Sequence, residues 1–360
     1  MNLRDEPLVS VLTPVYNGES FLAECIESVL AGTYSNWEYH IINNASTDGT
    51  LAIAERYARA DKRIRVHHNE QLVDIIANHN RAFRLISPDA KYCKVVSADD
   101  WLFPDCIARM VDLAESNPSV GIVGSYQLSG SGTDWRGWRV RWAGLPYPSP
   151  VISGREICRL WFLAGIYAFG TPTSTLYRAD LIREQDSFYP NSTAEADTSA
   201  CVKYLGVSDF GFVHQVLSYE RVHPYRMTTT SGELNAYLLS RIADLKEYGP
   251  LHLTETELHW CVKNHLDQYY AFLAKSAIRF RKKSFWTYHK KRLKELGYPL
   301  DHLRLARATS AKMIDLLLNP KHTVETILMH QEWAIKMVRQ ITKSPEDMEA
   351  QFHLGQIAKQ

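Results

Sequence analysis

The sequence predicts an α/β protein: a mostly parallel sheet between helices, followed by a helical C-terminal region. Three observations carry this. Short apolar runs alternate with stretches of helical periodicity over the first 125 residues or so; the run Tyr92 to Val96 ends abruptly at the paired acids Asp99 and Asp100; and after about Gly232 the pattern is helical almost throughout. The expected division is a domain over 1–231 and a helical region over 232–360.

Leu8 to Thr13 reads as a buried strand, ended by the turn residues Pro14-Val15-Tyr16-Asn17-Gly18. Phe21, Leu22, Cys25, Ile26, Val29 and Leu30 then recur at helical spacing. Glu38 to Asn43 is a second strand, and the polar turn Asn44-Ala45-Ser46-Thr47-Asp48-Gly49-Thr50 leads into a helix carrying Leu51, Ala54 and Tyr57. Ile64 to His67 gives a third strand and Ile75 to Ile86 a third helix, before Tyr92 to Val96 delivers the two acids. A helix from Pro104 to Ser116 and a strand at Gly121-Ile122-Val123-Gly124 follow.

Between Ser125 and Pro150 the pattern loosens into glycine, proline and the tryptophans Trp135, Trp138 and Trp142, with Arg136, Arg139 and Arg141 between them. A partly buried surface excursion and a substrate-facing loop fit this stretch equally well. Regular structure resumes with a helix near Ser153 to Leu163, then Gly170-Thr171-Pro172-Thr173 and the run to Arg178. Glu195 and Asp197 open a helix through Val202 and Leu205, where acids are ordinarily caps. A strand pair, Phe210 to Val213 and Val216 to Tyr219, runs into Arg221-Val222-His223.

The bulk numbers bound the function. With 360 residues, 45% hydrophobic and 22% charged, the chain is an ordinary globular protein of one large and one smaller unit. A net charge of +1, from 41 basic and 40 acidic residues, argues against nucleic acid as a partner. Six dispersed cysteines without a CxxC pair suggest neither zinc nor disulfides and fit a reducing compartment. With no leader-like start and no run long enough to span a bilayer, the expected location is the cytoplasm, and the Asn191-Ser192-Thr193 sequon is not expected to be glycosylated.

The chemistry gathers at Asp99 and Asp100. At the carboxyl end of a strand in an open α/β sheet, where ligands bind, two acids suit Mg²⁺ or Mn²⁺ bridging to a diphosphate. There is neither a GxGxxG after the first strand nor a GxxxxGK[ST] anywhere, so phosphates must be held by other means. The plain alternative for an isolated Asp-Asp is a turn that caps the next helix.

Taken in order, Val9 to Gly18, Ile41 to Thr50, and Ser97-Ala98-Asp99-Asp100 with Pro104 resemble the family 2 glycosyltransferases of GT-A fold. The likeness covers roughly the first 125 residues, weakens over 125–230 and is absent beyond. It implies a nucleotide-diphosphate sugar donor, a divalent cation, a saccharide or lipid-linked acceptor, and inversion at the anomeric carbon. Pro14, Tyr16 and Asn17 match the family's first donor loop; Asn43, Ser46, Asp48 and Asn80 fall at further donor positions, as do Ser97, Ala98 and Asp99. Of Asp99 and Asp100, the metal candidates, one would meet cation and diphosphate and the other ribose or cation. Asp197 matches the family's acceptor-side base, with Glu195 the alternative, and His223 a position near the leaving diphosphate.

Two departures stand out. Asn43 replaces an aspartate that usually meets the base, and an amide can donate where a carboxylate only accepts. Ser97 replaces the first aspartate of the usual Asp-x-Asp-Asp. They motivate a second hypothesis, a sugar-nucleotide binder without catalysis; a nucleotidyltransferase is a third. Finally, Lys275 to Lys294 is strongly basic, with Ile278, Phe280, Phe285, Trp286 and Tyr288 interleaved, which fits a solvated face or a peripheral contact with anionic lipid.

Overall fold

The computed structural model describes residues 6–131, 138–141, 145, 149–191, 195–223 and 236–319. Trp135, Arg136, Trp142, Ser192, Thr193 and the expected domain boundary at 231/232 lie outside them. The chain forms two compact units, Met1–Leu266 and Asp267–Gln360.

The first unit opens with β1 (Val9–Val15), α1 (Leu22–Leu30), β2 (Trp37–Asn43), α2 (Thr50–Ala60), β3 (Ile64–His68), α3 (Ile75–Phe83) and β4 (Tyr92–Val95). Then come β5 (Trp101–Leu102), α4 (Cys106–Ser116), β6 (Val120–Gly130), β7 (Arg139–Arg141), β8 (Val151–Ile152) and α5 (Gly154–Ala164). β9 (Thr175–Arg178), α6 (Ala179–Arg183), α7 (Ala196–Tyr204), β10 (Asp209–Arg221), α8 (Ala236–Glu247) and α9 (Gly249–His252) complete it, and α10 (Glu255–Ile278) begins in it.

The sheet runs in the order β3-β2-β1-β4-β9-β6-β10-β5. β3, β2, β1 and β4 are parallel, as the alternation of strand and helix requires. β9 is antiparallel to both of its neighbours, β4 and β6, so the sheet as a whole is mixed. The expected strand pair at 210–219 is instead one long strand, β10, with register shifts between Val213 and Ser218 where it pairs with β6. Such irregularities bend a strand without ending it, which is why a run interrupted by His214-Gln215 looked like two.

Alternation along the strands divides the core between the two faces of the sheet. Val11, Ile41, Tyr92 and Val123 pack with α1 and α4, whereas Leu12, Ile42, Cys93 and Ile122 pack with α3, α5 and α7. β1 is buried along its whole length, and its polar residues are therefore paired. Ser10 donates to Glu38 Oε1 at 2.6 Å and Thr13 to the carbonyl of Val96 at 2.9 Å. Lys94 on β4 is wholly buried, and its ammonium donates to the carbonyls of Thr173 and Thr175 at 2.6 and 2.9 Å. This bond pair ties the strand that carries the acids to the loop before β9. All six cysteines are buried free thiols.

The second unit holds the end of α10, then α11 (Lys283–Glu295) and α12 (His302–Leu318). α11 is anchored by Phe285, His289 and Leu293, spaced four residues apart on one face. No described helix is long and apolar enough to cross a membrane.

Candidate active site

The carboxyl ends of β1 and β2 carry two loops that lock together. Asn17 takes a left-handed backbone (φ 49°), which aims its amide across the gap. Its N–H donates to Ser46 Oγ at 2.9 Å and its Oδ1 accepts from Thr47 N at 2.9 Å. Gly18 fits because a Cβ there would lie 2.6 Å from Val15 Cγ2. Asp48 starts α2, accepting from Thr50 N at 3.1 Å, and also accepts from Glu19 N at 3.1 Å. Burial pushes its carboxyl up, but the bonds from Thr50 and Glu19 outweigh that and hold it below the usual range. Ser46, Asp48 and Asn17 thus build the loop, while Tyr16 stands half-exposed on its rim above the buried Pro14.

Asn43 is completely buried at the end of β2. Its Oδ1 accepts from Ser46 N at 3.2 Å, which turns Nδ2 toward His68 Nδ1, 2.9 Å away. The exposed His68 ring therefore lies beyond the amide at this edge. Asn80 is also committed: Nδ2 donates to the carbonyl of Tyr189 at 3.1 Å and Oδ1 accepts from Tyr189 N at 2.9 Å.

The two adjacent acids have different surroundings. Asp100 is buried; Oδ2 accepts from the Thr173 hydroxyl at 2.7 Å and Oδ1 from the backbone N–H of Arg221 at 3.0 Å. Burial, reinforced by the charge of Asp99, pushes its carboxyl well above the usual carboxylate range. Thr173 Oγ1 also accepts from the N–H of Ser97 at 3.1 Å and lies 3.2 Å from Ser97 Oγ. Asp99 keeps an accessible carboxylate, with Oδ2 2.9 Å from Nε2 of His223. Arg221 fixes the loop from the other side: its Nε donates to the Asp99 carbonyl at 3.1 Å, its guanidinium pairs with Glu24, and it lies over the rings of Phe21 and Trp101. Neither acid caps α4, which begins after Asp105.

This arrangement bears on the expected cation. Among the described residues no group of three or more His, Cys, Asp or Glu is disposed to hold a metal. One open carboxylate facing one imidazole nevertheless fits an ion that takes the rest of its shell from diphosphate oxygens and water. Asp100, with both oxygens occupied, does not offer itself in the same way.

On the far side of the 170–173 loop stands Asp197, in the first turn of α7. The loop joins the two regions, since Tyr167 Oη lies 2.8 Å from both the Gly170 carbonyl and Thr198 Oγ1, while Thr173 meets Asp100. Asp197 Oδ1 accepts from Thr198 N at 2.8 Å, and burial pushes the carboxyl up to about 6. Glu195 is pushed up to about 8, by burial first and then by the charges of Asp197 and Asp244, with Arg241 opposing. Arg241 itself stacks 3.8 Å over Trp161. A group near 6 is ionised at neutral pH and still basic enough to take a proton, whereas one near 8 arrives already protonated.

Sequence reasoning missed Thr173, Arg221, Tyr167 and Lys94 as site-forming residues. The motifs Gly170-Thr171-Pro172-Thr173 and Arg221-Val222-His223 carried the local signal for Thr173 and Arg221; Tyr167 and Lys94 had none, because their bonds to Thr198, Thr173 and Thr175 reach partners remote in sequence.

The family model described as glycosyl transferase family 2 matches residues 10–184. EpsE of Bacillus subtilis (strain 168), provisionally named a glycosyltransferase, is 34% identical over 153 residues, 42% of this chain and 54% of its own. TuaG of the same organism, provisionally named a teichuronic acid biosynthesis glycosyltransferase, is 30% identical over 129 residues, 36% of this chain and 50% of its own. The match thus spans about half the length of each relative. Among solved structures, residues 1–349 of S. aureus TarS in complex with UDP-GlcNAc superpose with a TM-score of 0.62 at 16% identity, over 85% of this chain and 88% of that one. At that identity the likeness speaks for the fold. Residues 10–184 thus match glycosyl transferase family 2, and the chain has a GT-A fold.

Proposed function

We propose that this protein is an inverting glycosyltransferase that moves a sugar from a nucleoside diphosphate donor to a hydroxyl of a saccharide or lipid-linked acceptor, in surface polysaccharide or glycoconjugate assembly. The observation that carries the reading is the pairing of open Asp99 with His223 on one side of the 170–173 loop and a carboxyl near 6, Asp197, on the other. The names of EpsE and TuaG and the donor in the TarS complex support it.

In this reading the nucleoside lies along the loops of Tyr16 and Asn43, and the diphosphate reaches Asp99. Mg²⁺ or Mn²⁺, held by Asp99 with His223, would supply positive charge for the departing diphosphate. Asp100 positions that loop through Thr173 and Arg221. The acceptor oxygen attacks the anomeric carbon in line as its bond to the phosphate oxygen breaks, and Asp197 takes the hydroxyl proton. The products are the inverted glycoside and a nucleoside diphosphate. Donor and acceptor would meet in the cytoplasm.

A panel of nucleotide sugars, screened by thermal shift with and without Mn²⁺ and then assayed for nucleoside diphosphate release with and without acceptor, tests the reading. A bound donor at a hundredfold excess over its dissociation constant should add about 3 kcal/mol of stability. Binding without any release would leave a sugar-nucleotide binder, and release of pyrophosphate a nucleotidyltransferase.

A further inference from the structure

We propose that the turn between α10 and α11 is a membrane-contacting tip that seats the Phe280 ring in the interface of an anionic lipid bilayer. α10 ends with the paired reverse bonds of a left-handed helix terminus. The Phe280 N–H donates to the Ala277 carbonyl at 3.1 Å and the Arg281 N–H to the Ser276 carbonyl at 3.4 Å. Phe280 takes the left-handed position, φ 49°, where glycine is the usual occupant and any side chain with a Cβ is strained. The ring packs against little: it is 91% exposed, more than any other large apolar side chain among the described residues. A bulky apolar residue held at an unfavourable backbone position and presented to solvent is the opposite of what folding alone selects.

The surroundings identify what it meets. Between Lys275 and Lys294 there are nine lysines and arginines and no acid. Arg279, Arg281, Lys282 and Lys283 flank Phe280 in the chain and are exposed, with the Arg281 guanidinium 5.3 Å over the Phe285 ring, and α11 turns Phe285, His289 and Leu293 inward, so Lys290, Lys291 and Lys294 lie outward as well. His289 does not add to this charge, because burial pushes its imidazole down to about 4, with Tyr269 Oη 2.5 Å from its Nδ1. Of the aromatic residues interleaved in this segment, only Phe280 points fully outward; Phe285 is core, and Trp286 and Tyr288 are half-buried. A basic collar around a single projecting aromatic ring matches a lipid interface, where lysines meet headgroup phosphates and the ring enters the acyl boundary. The inference is independent of the chemistry at Asp99 and Asp197.

The test is co-sedimentation of the full chain with vesicles of phosphatidylcholine alone or of phosphatidylcholine mixed with phosphatidylglycerol. The protein should sediment only with the anionic vesicles, and less so at high salt. Phe280→Gly keeps the left-handed turn, so its thermal midpoint should hold or rise, while partition falls about tenfold. Replacing Lys282 and Lys283 together by Gln should also lower partition about tenfold. Undiminished partition of Phe280→Gly would overturn the proposal, as would failure of the natural chain to sediment with anionic vesicles. Phe280-dependent binding to single-stranded DNA without vesicle binding would overturn it in favour of base stacking on nucleic acid.

Discussion

Asp99 Oδ2 and His223 Nε2 lie 2.9 Å apart although 124 positions separate them in the chain. The contact exists because Arg221, two residues before the histidine, bonds both the Asp99 carbonyl and, through its backbone N–H, Asp100. If this pair holds the cation, chelation should stop transfer and Mn²⁺ restore it. Asp99→Asn and His223→Ala should each raise the Mn²⁺ concentration for half-maximal rate by about 10- to 100-fold. Initial rates against Mn²⁺ check this, and unchanged curves for both variants would remove the pair from the role.

Asp197 should behave as a base whose carboxyl is held up by burial. Ionisation is required for proton uptake, so kcat/KM should rise with pH, reach half its plateau near the value of about 6, and be flat above. Asp197→Asn should cut transfer by about 10²–10⁴-fold while the donor dissociation constant stays within about threefold. Glu195→Gln should lower the rate far less, because Glu195 is mostly protonated at neutral pH already. A pH profile measured with saturating donor, alongside donor binding by calorimetry, separates the two carboxyls.

The parallel half of the fold was legible because buried strands are written as apolar runs closed by turn residues: Leu8 to Thr13 closed by Pro14-Val15-Tyr16-Asn17-Gly18 is one, although the strand itself runs on to Val15, and Glu38 to Asn43 closed by Asn44 is another. β9 and β10 were less so, since antiparallel pairing of β9 depends on strands far away and the irregular β10 hides its continuity. For the site, the Asp-Asp pair was visible and its division of labour was not. What makes Asp99 open and Asp100 buried is Thr173 and Arg221, 73 and 121 positions away. No window around residue 100 contains that information. Phe285 and Phe280 are equally apolar in the sequence, and only the helix end at Ile278 decides that one faces inward and the other out.

Asn80 gives a prediction that separates scaffold from binding. Its amide satisfies both the N–H and the carbonyl of Tyr189, so Asn80→Ala should cost about 2 kcal/mol, two hydrogen bonds at roughly 1 kcal/mol each. Donor affinity should change little. Urea denaturation and donor titration on the same preparation check it; weakened donor binding at unchanged stability would instead assign the amide to the donor.

Asp244 on α8 predicts an unusual dependence of stability on pH. It is almost completely buried, and burial pushes its carboxyl up to about 7, helped by the charges of Glu247 and Asp197 and opposed by the Ser199 hydroxyl. Its folded value thus lies above that of the unfolded chain, near 4. Between about 4 and 7 the native state binds more protons than the unfolded state, so unfolding free energy falls as pH rises through this window. The stabilisation is complete below the unfolded value and lost above the folded one. Asp244→Asn removes the titrating group while keeping its shape, and should flatten the decline between pH 5 and 8 by on the order of 1–3 kcal/mol. Glu195, raised to about 8 beside the same cluster, extends the window upward, so Glu195→Gln should flatten the upper part of the curve. Thermal midpoints of the three proteins across that range decide it: parallel curves would mean that these carboxyls are already ionised in the folded protein throughout that range.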